Sequence, residues 1–373
     1  MTSVLSLPTA DDLRAAFQPC SALTVGLEEE LMVLDPGTLD LVPRAGEVLA
    51  ALGGDARFKL ELPAAQVEIV TPPASGVGAA AAALAAARRD LAAALPERAC
   101  FAGGAVHPFA AVEGELNRSE HYDRLVAEYG VVARRQLVYG LHVHVAVRGP
   151  ERALAVYNAL RSHLPELAAL ASNGPFHGGR DTGLASMRPK IAEMLPRQGV
   201  PPMLESWEAL AGALAWGMRS GTLPSPAAWW WELRLHPVHG TVELRVPDTQ
   251  ATVADTAAVA AVAHCLVAWL VERHDAGETL PPEPTWRIEE NRWSACRHGL
   301  AGTLVAPDGG PPEPTRERLG RLLDELQPVA ARLGCAAELR GAHALLEANG
   351  AERQRRAGDP RAATAWLVER FLG

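Results

Sequence analysis

Lysine is almost missing from this 373-residue chain: Lys59 and Lys190 are the only two. Neither stands in a G-x-x-x-x-G-K-[ST] loop and no G-x-G-x-x-G follows a strand-like run, which excludes two common backbone cradles for nucleotide phosphates. A nucleotide bound here has to be neutralised by arginine and metal ions. Cysteine pairs are missing too. Cys20, Cys100, Cys265, Cys296 and Cys335 are odd in number, scattered and free of C-x-x-C spacing, which argues against a disulfide framework or zinc knuckle and for a reducing, cytoplasmic setting. Residues 1–13 lack a basic region followed by an apolar core, so no secretory signal is expected. The longest apolar tract, 78–95, is alanine-rich and broken by Arg88, Arg89 and Asp90; it reads as an amphipathic helix on a sheet, and no membrane partner is expected. Excess positive charge is also absent. The net charge is −9, the pI is near 5.8 and the one dense basic run is 353–356, so no nucleic-acid partner is expected.

What the chain does have is acid where a buried strand should carry Val or Ile. Residues 24–34 read T-V-G-L-E-E-E-L-M-V-L. Strand side chains alternate, so Glu28 and Glu30 share a face, about 6–7 Å apart, while Glu29 points the opposite way. Two carboxylates on one face of an apolar strand call for solvent or a cation. Glu61 precedes Pro63 in a turn, and Gln66 and Glu68 share one face of the next strand. His142 and His144 alternate with Leu141, Val143 and Val145. In 229–248, Glu232, Arg234 and His236 share one strand face, and Thr241, Glu243 and Arg245 another. A solvated sheet laced with ion pairs explains one such strand; it explains four poorly. Carboxylates in excess over histidine, with no cysteine, favour Mg²⁺ or Mn²⁺ over zinc, and acids beside arginines suit a metal-bound polyphosphate. Phosphoryl transfer from a nucleotide is the chemistry these residue types point to.

Strand-like segments fall at 23–34, 66–71, 99–106, 138–147, 229–236 and 241–246. Helix-like segments fall at 77–95, 119–129, 150–163, 204–217, 253–274, 315–333, 336–349 and 360–372. Irregular interleaving and the 229–246 hairpin favour an α+β fold over a parallel doubly wound sheet. Proline-rich breaks at 280–284 and 307–314 suggest one catalytic domain, 1–310, with a helical segment, 311–373, packed on it.

In series, G-L-E-E-E-L-M-V-L-D-P, Q-V-E-I-V-T-P-P, G-L-H-V-H-V, T-G-L-A-S-M-R, W-W-E-L-R-L-H-P-V-H-G-T-V-E-L-R-V-P-D-T-Q and E-N-R-W-S-A-C-R-H-G-L resemble the carboxylate-amine ligases of the type 2 glutamate–cysteine ligase family. The resemblance implies a glutamine synthetase-like fold: a curved, mostly antiparallel sheet of about six strands with helices on its convex side. It also implies ATP-dependent amide formation through an acyl phosphate, with small carboxylate and amine partners and room for a homo-oligomer. Carried over by position, Glu28, Glu61 and Glu68 would surround one or more Mg²⁺ ions, and Glu30, His142 and Glu243 another. Arg188 and Arg245 would touch the transferred phosphoryl group, with His144, Arg234 and Gln66 on the substrate side. Asn291 and Arg292 read equally as a helix-end packing motif or a nucleotide contact. Met187 and Met194 stand where the family pattern is aromatic, which leaves the acyl donor and amine open. The rival readings are a guanidino phosphotransferase and a non-catalytic nucleotide- or metal-binding protein on the same scaffold.

Overall fold

A computed structural model describes residues 7–18, 23–306 and 309–373. Cys20, residues 1–6 of the segment read for a leader, and residues 307–308 of the proline-rich break lie outside the described residues. The frame is a seven-stranded sheet. Its strands are β1 (Val25–Leu34), β2 (Phe58–Leu60), β3 (Gln66–Val70), β4 (Cys100–Ala102), β5 (Leu141–Ala146), β6 (Leu233–His236) and β7 (Thr241–Leu244). They lie in the order β2-β3-β1-β5-β7-β6, β4 pairs with the far end of β1, and every described ladder is antiparallel.

Alternation splits β1 cleanly. Val25, Leu27, Glu29 and Leu31 are buried on the back, while Glu28 and Glu30 on the front keep some solvent contact. Behind the sheet lie α1 (Val77–Ala94), against β1 and β3, and α2 (Val253–Asp275), against β5. Helix α2 is long and apolar enough to cross a membrane by length and composition, but its apolar stretch is mostly buried inside the protein. Thr252 caps its first turn by accepting from Asp255 N.

The back face holds a charge pair. Arg88 of α1 donates to both Glu29 oxygens, at 2.8 and 2.7 Å, and to the carbonyls of Gln250, Ala251 and Phe371; Glu29 also accepts from Thr256 Oγ1 at 2.9 Å. All five guanidinium N–H groups are thereby used, so a fully buried pair is tolerated.

Several elements depart from the sequence reading. The strand expected at 99–106 shrinks to β4, because Gly103 passes so close to the Gln250 carbonyl that the backbone there is packed on another segment. The strand expected from 229 begins at Leu233. Pro226–Ala228 is a short 3₁₀ turn, and at Glu232 only the carbonyl still pairs across, accepting from Arg245 N at 2.7 Å, while Glu232 N donates to Gly199 O. The Glu232 side chain pairs with Arg292. Strand β2 and the helices Leu164–Ala171, Thr285–His298 and Gly350–Ala357 add to the expected set.

Candidate active site

Register converges the polar side chains on the front face. Across β1 and β5, Glu28 lies opposite His142; across β1 and β3, Glu30 lies opposite Glu68; across β5 and β7, His144 lies opposite Glu243; and across β6 and β7, Arg234 lies opposite Glu243. Every one of these residues is on the same side of its strand. Glu61 reaches the group from the turn before β3, where Asn117 Nδ2 holds the Glu61 carbonyl at 2.7 Å.

His142 Nδ1 stands 3.2 Å from Glu28 Oε2. His144 Nδ1 contacts Thr241 Oγ1 at 3.0 Å, which turns its Nε2 toward the carboxylates, 3.5 Å from Glu28 Oε1 and 3.8 Å from Glu243 Oε1, short of a hydrogen bond to either. Glu243 accepts from Arg245 Nη1 at 2.7 Å and from Arg234 Nε. Lys59, opposite Glu68 on β2, brings Nζ to 3.7 Å of Glu68 Oε2.

Charge crowding sets the ionisation of these groups. Burial, then the Glu30 charge, pushes Glu61 up to about 7. Burial, then the charges of Glu61, Glu28 and Glu30, pushes Glu68 well above the carboxylate range. Burial works the same way on Glu28 and Glu243, but His142 and His144 outweigh it for the first, and Arg245 and Arg234 for the second, holding both below that range. Burial and then the Arg245 charge lower His142, keeping it neutral, the form that ligates metal.

A divalent ion fits these residues. Donor atoms of Glu28, Glu68 and His142 lie within 4.8 Å of one another, and so do those of Glu28, His144 and Glu243. Nε2 of His142 and Nε2 of His144 are buried with no hydrogen-bond partner among the described residues. Oxygen donors with one imidazole suit Mg²⁺ or Mn²⁺. The grouping differs from the one the resemblance implied: Glu28 belongs to both clusters, and Glu30 lies outside them, its carboxylate accepting from Gly140 N.

The remaining sequence candidates separate. Gln66 and Arg245 line a cleft beside Glu30 and Glu61. Arg188 is turned away from the carboxylates: it donates to the carbonyls of Arg245 (2.9 Å) and Val246 (3.2 Å) and lies 3.7 Å from Asp248. Gly140 packs against it: a Cβ there would displace the Arg188 guanidinium. Asn291 spends both ends of its amide on the backbone of Val305, at 2.7 and 2.8 Å, and Arg292 is buried between Glu232 and Glu193. Both residues lie in the middle of the helix Thr285–His298, and these contacts are to protein groups. Sequence reasoning passed over Lys59 and the P-V-H-G turn, where His239 stacks on His236 with ring centroids 4.2 Å apart. The signals were there: one of only two lysines, and another histidine three residues after His236.

Known structures share the architecture. A glutamate–cysteine ligase from Francisella tularensis in complex with AMP superposes with a TM-score of 0.66 at 13% identity, over 96% of this chain and 90% of that one. A bifunctional glutathione synthetase from Pasteurella multocida gives 0.64 at 14% identity, over 97% of this chain and 53% of the other. Fold and family together make the chain an ATP-dependent carbon–nitrogen ligase. The sequence profile described as glutamate-cysteine ligase family 2 matches residues 24–364. A Rubrobacter xylanophilus protein bearing the name "Putative glutamate--cysteine ligase 2-3" is 41% identical over 358 residues, covering 93% of this chain and 96% of its own. A similarly named Frankia alni protein is 35% identical over 355 residues, 92% of each chain. The chain belongs to glutamate–cysteine ligase family 2.

Proposed function

We propose that the chain joins a small carboxylate to a small amine at the expense of ATP through an acyl phosphate. A carboxylate oxygen attacks the γ-phosphorus and ADP leaves. The amine nitrogen then attacks the acyl carbon, loses a proton and expels phosphate. The observation that carries this reading is the convergence of Glu28, Glu68, His142, His144 and Glu243 on one sheet face, with two imidazole nitrogens unpartnered. Glu28, Glu68, His142, His144 and Glu243 would hold Mg²⁺, which would offset the charge of the phosphates. Arg245 faces the cleft and is assigned to the transferred phosphoryl group. Arg188 acts behind it, fixing the chain at Arg245 and Val246. Arg234 holds Glu243 in place, while His144 and Gln66 face the substrates.

We assign the catalytic unit to 1–310, with the helices of 311–373 supporting its back: Phe371 O accepts from Arg88, and Gln354 Nε2 donates to Asn173 O. The cysteines among the described residues are unbridged, which supports a reducing cytoplasm. A guanidino phosphotransferase is less favoured, because Cys265, Cys296 and Cys335 are buried and Cys100 is half-buried on β4, apart from the front-face clefts.

The test is Mg²⁺-dependent ADP release over a panel of carboxylates and amines, with product masses and Glu243→Gln as the blank. The expected result is ADP matched by an amide, lost at least about 100-fold in the variant. A phosphorylated guanidine, or equal turnover in the variant, contradicts the reading.

A further inference from the structure

The front-face cleft opens between the carboxylates and the helix Glu120–Tyr129. Glu30, Glu61, Gln66 and Arg245 form its inner end. The helix forms one wall. Ser119 caps it by accepting from Tyr122 N, yet none of its own residues is buried. Tyr122, Leu125 and Tyr129, spaced i, i+3 and i+7, share one side of the helix and line the cleft, and Trp230 stands across from Tyr129 with ring centroids 6.1 Å apart. An apolar helix side left half-covered beside an acidic centre is a surface for the non-reacting body of a substrate.

Charge narrows the class. Arg245 is the only arginine or lysine among the lining residues; it donates to Glu243 through Nη1 and is assigned above to the transferred phosphoryl group. Arg197, near the rim, is committed to Ala228 O at 3.1 Å, to Tyr129 Oη at 3.3 Å and to the face of Trp230 at 5.2 Å. With Arg245 given to the phosphoryl group, no lining residue except His121 at the rim offers a carboxylate a cation, and Glu30 and Glu61 at the inner end disfavour one. A nitrogen donor is treated differently. Gln66 is 2% exposed and its Oε1 has no hydrogen-bond partner among the described residues, so it is an acceptor awaiting an N–H.

Building on the ligase reading, we infer that this cleft holds the acceptor, and that the acceptor is a primary amine with an apolar or aromatic body and no carboxylate of its own. Amino acids, cysteine included, are the disfavoured class. Gln66 receives the amine N–H, and Tyr122, Leu125, Tyr129 and Trp230 select the body.

The test is calorimetric titration of the full chain with Mg²⁺ and ADP present, using two matched pairs: 2-phenylethylamine against L-phenylalanine, and cysteamine against L-cysteine. Each amine should bind at least about tenfold tighter than its amino acid. Leu125→Arg, on a helix with no buried residue, should shrink that ratio at least fivefold by supplying the missing cation. Equal affinities, preference for the amino acids, no binding of either amine, or an unchanged ratio in Leu125→Arg overturns the inference. Amide formation from ATP is read separately: amides made only with amino acids defeat the acceptor class and leave the ligase reading standing.

Discussion

Glu29 and its two flanking glutamates occupy consecutive positions on β1 and meet opposite electrostatic fates. On the back, Glu29 is fully buried, paired with Arg88 through two hydrogen bonds and with Thr256 through a third. On the front, Glu28 and Glu30 are joined by Glu61, Glu68 and Glu243, and the available cations are Arg234, Arg245 and Lys59. One side closes its hydrogen-bond inventory; the other leaves two histidine nitrogens unpartnered and two carboxyls pushed upward. A satisfied buried charge serves the fold, whereas crowded, under-compensated charge is maintained against stability and marks a place for a ligand.

The largest effect should come from opening the closed side. Arg88→Met leaves the Glu29 carboxylate buried without its partner and should cost about 3–5 kcal/mol in denaturant unfolding. A loss under about 1 kcal/mol would show that water or another group replaces the guanidinium.

A smaller effect, of roughly 1–3 kcal/mol, should come from relieving the crowded side. Glu61 holds its proton more tightly folded than unfolded, its folded value being near 7 against an ordinary 4.5. Its contribution to the stability of the metal-free protein therefore falls as pH rises between those values. Lowered histidines such as His142 and His236 run the other way, gaining stability with rising pH, so the wild type alone mixes both trends. The difference between Glu61→Gln and wild type isolates the carboxylate. In EDTA, the variant should gain on wild type from pH 5 to pH 8, and saturating Mg²⁺ should erase that gain. A flat difference would mean that Glu61 is not crowded.

The smallest effect bounds the site. Asn291→Ala removes two hydrogen bonds to Val305 and should cost about 1 kcal/mol of stability. The KM for ATP should stay within about twofold of wild type, since this amide is spent on packing. A tenfold rise would return Asn291 to the nucleotide.

Much of this contrast was legible in the sequence because strand alternation is a local rule. Glu28 and Glu30 against Glu29, the pair His142 and His144, and the alternation through Glu243 all followed from period two. Partnership across the chain did not. Arg88 lies 59 residues from Glu29, and an arginine in an alanine-rich helix reads as solvated until the helix is docked. Arg188 shows the same gap: its motif suggested a phosphoryl contact, but its donors fall on the Arg245 and Val246 carbonyls, which are brought to it only by folding. Local punctuation also misled at 229–232, where three tryptophans have strand propensity but the preceding proline turn and the Glu232 contact to Gly199 end the ladder. The helix Thr285–His298 is hard to read from sequence because its E-N-R-W-S-A-C-R-H stretch is polar and carries no clear apolar stripe.

The most direct test of the account is Mn²⁺ binding followed by electron paramagnetic resonance on wild type and Glu28→Gln, because Glu28 alone belongs to both donor clusters. The account predicts saturable Mn²⁺ binding to the wild type and an affinity loss of at least about tenfold in the variant, with the fold unchanged by circular dichroism. Equal Mn²⁺ binding by the two proteins would contradict the assignment of the front face as a metal centre.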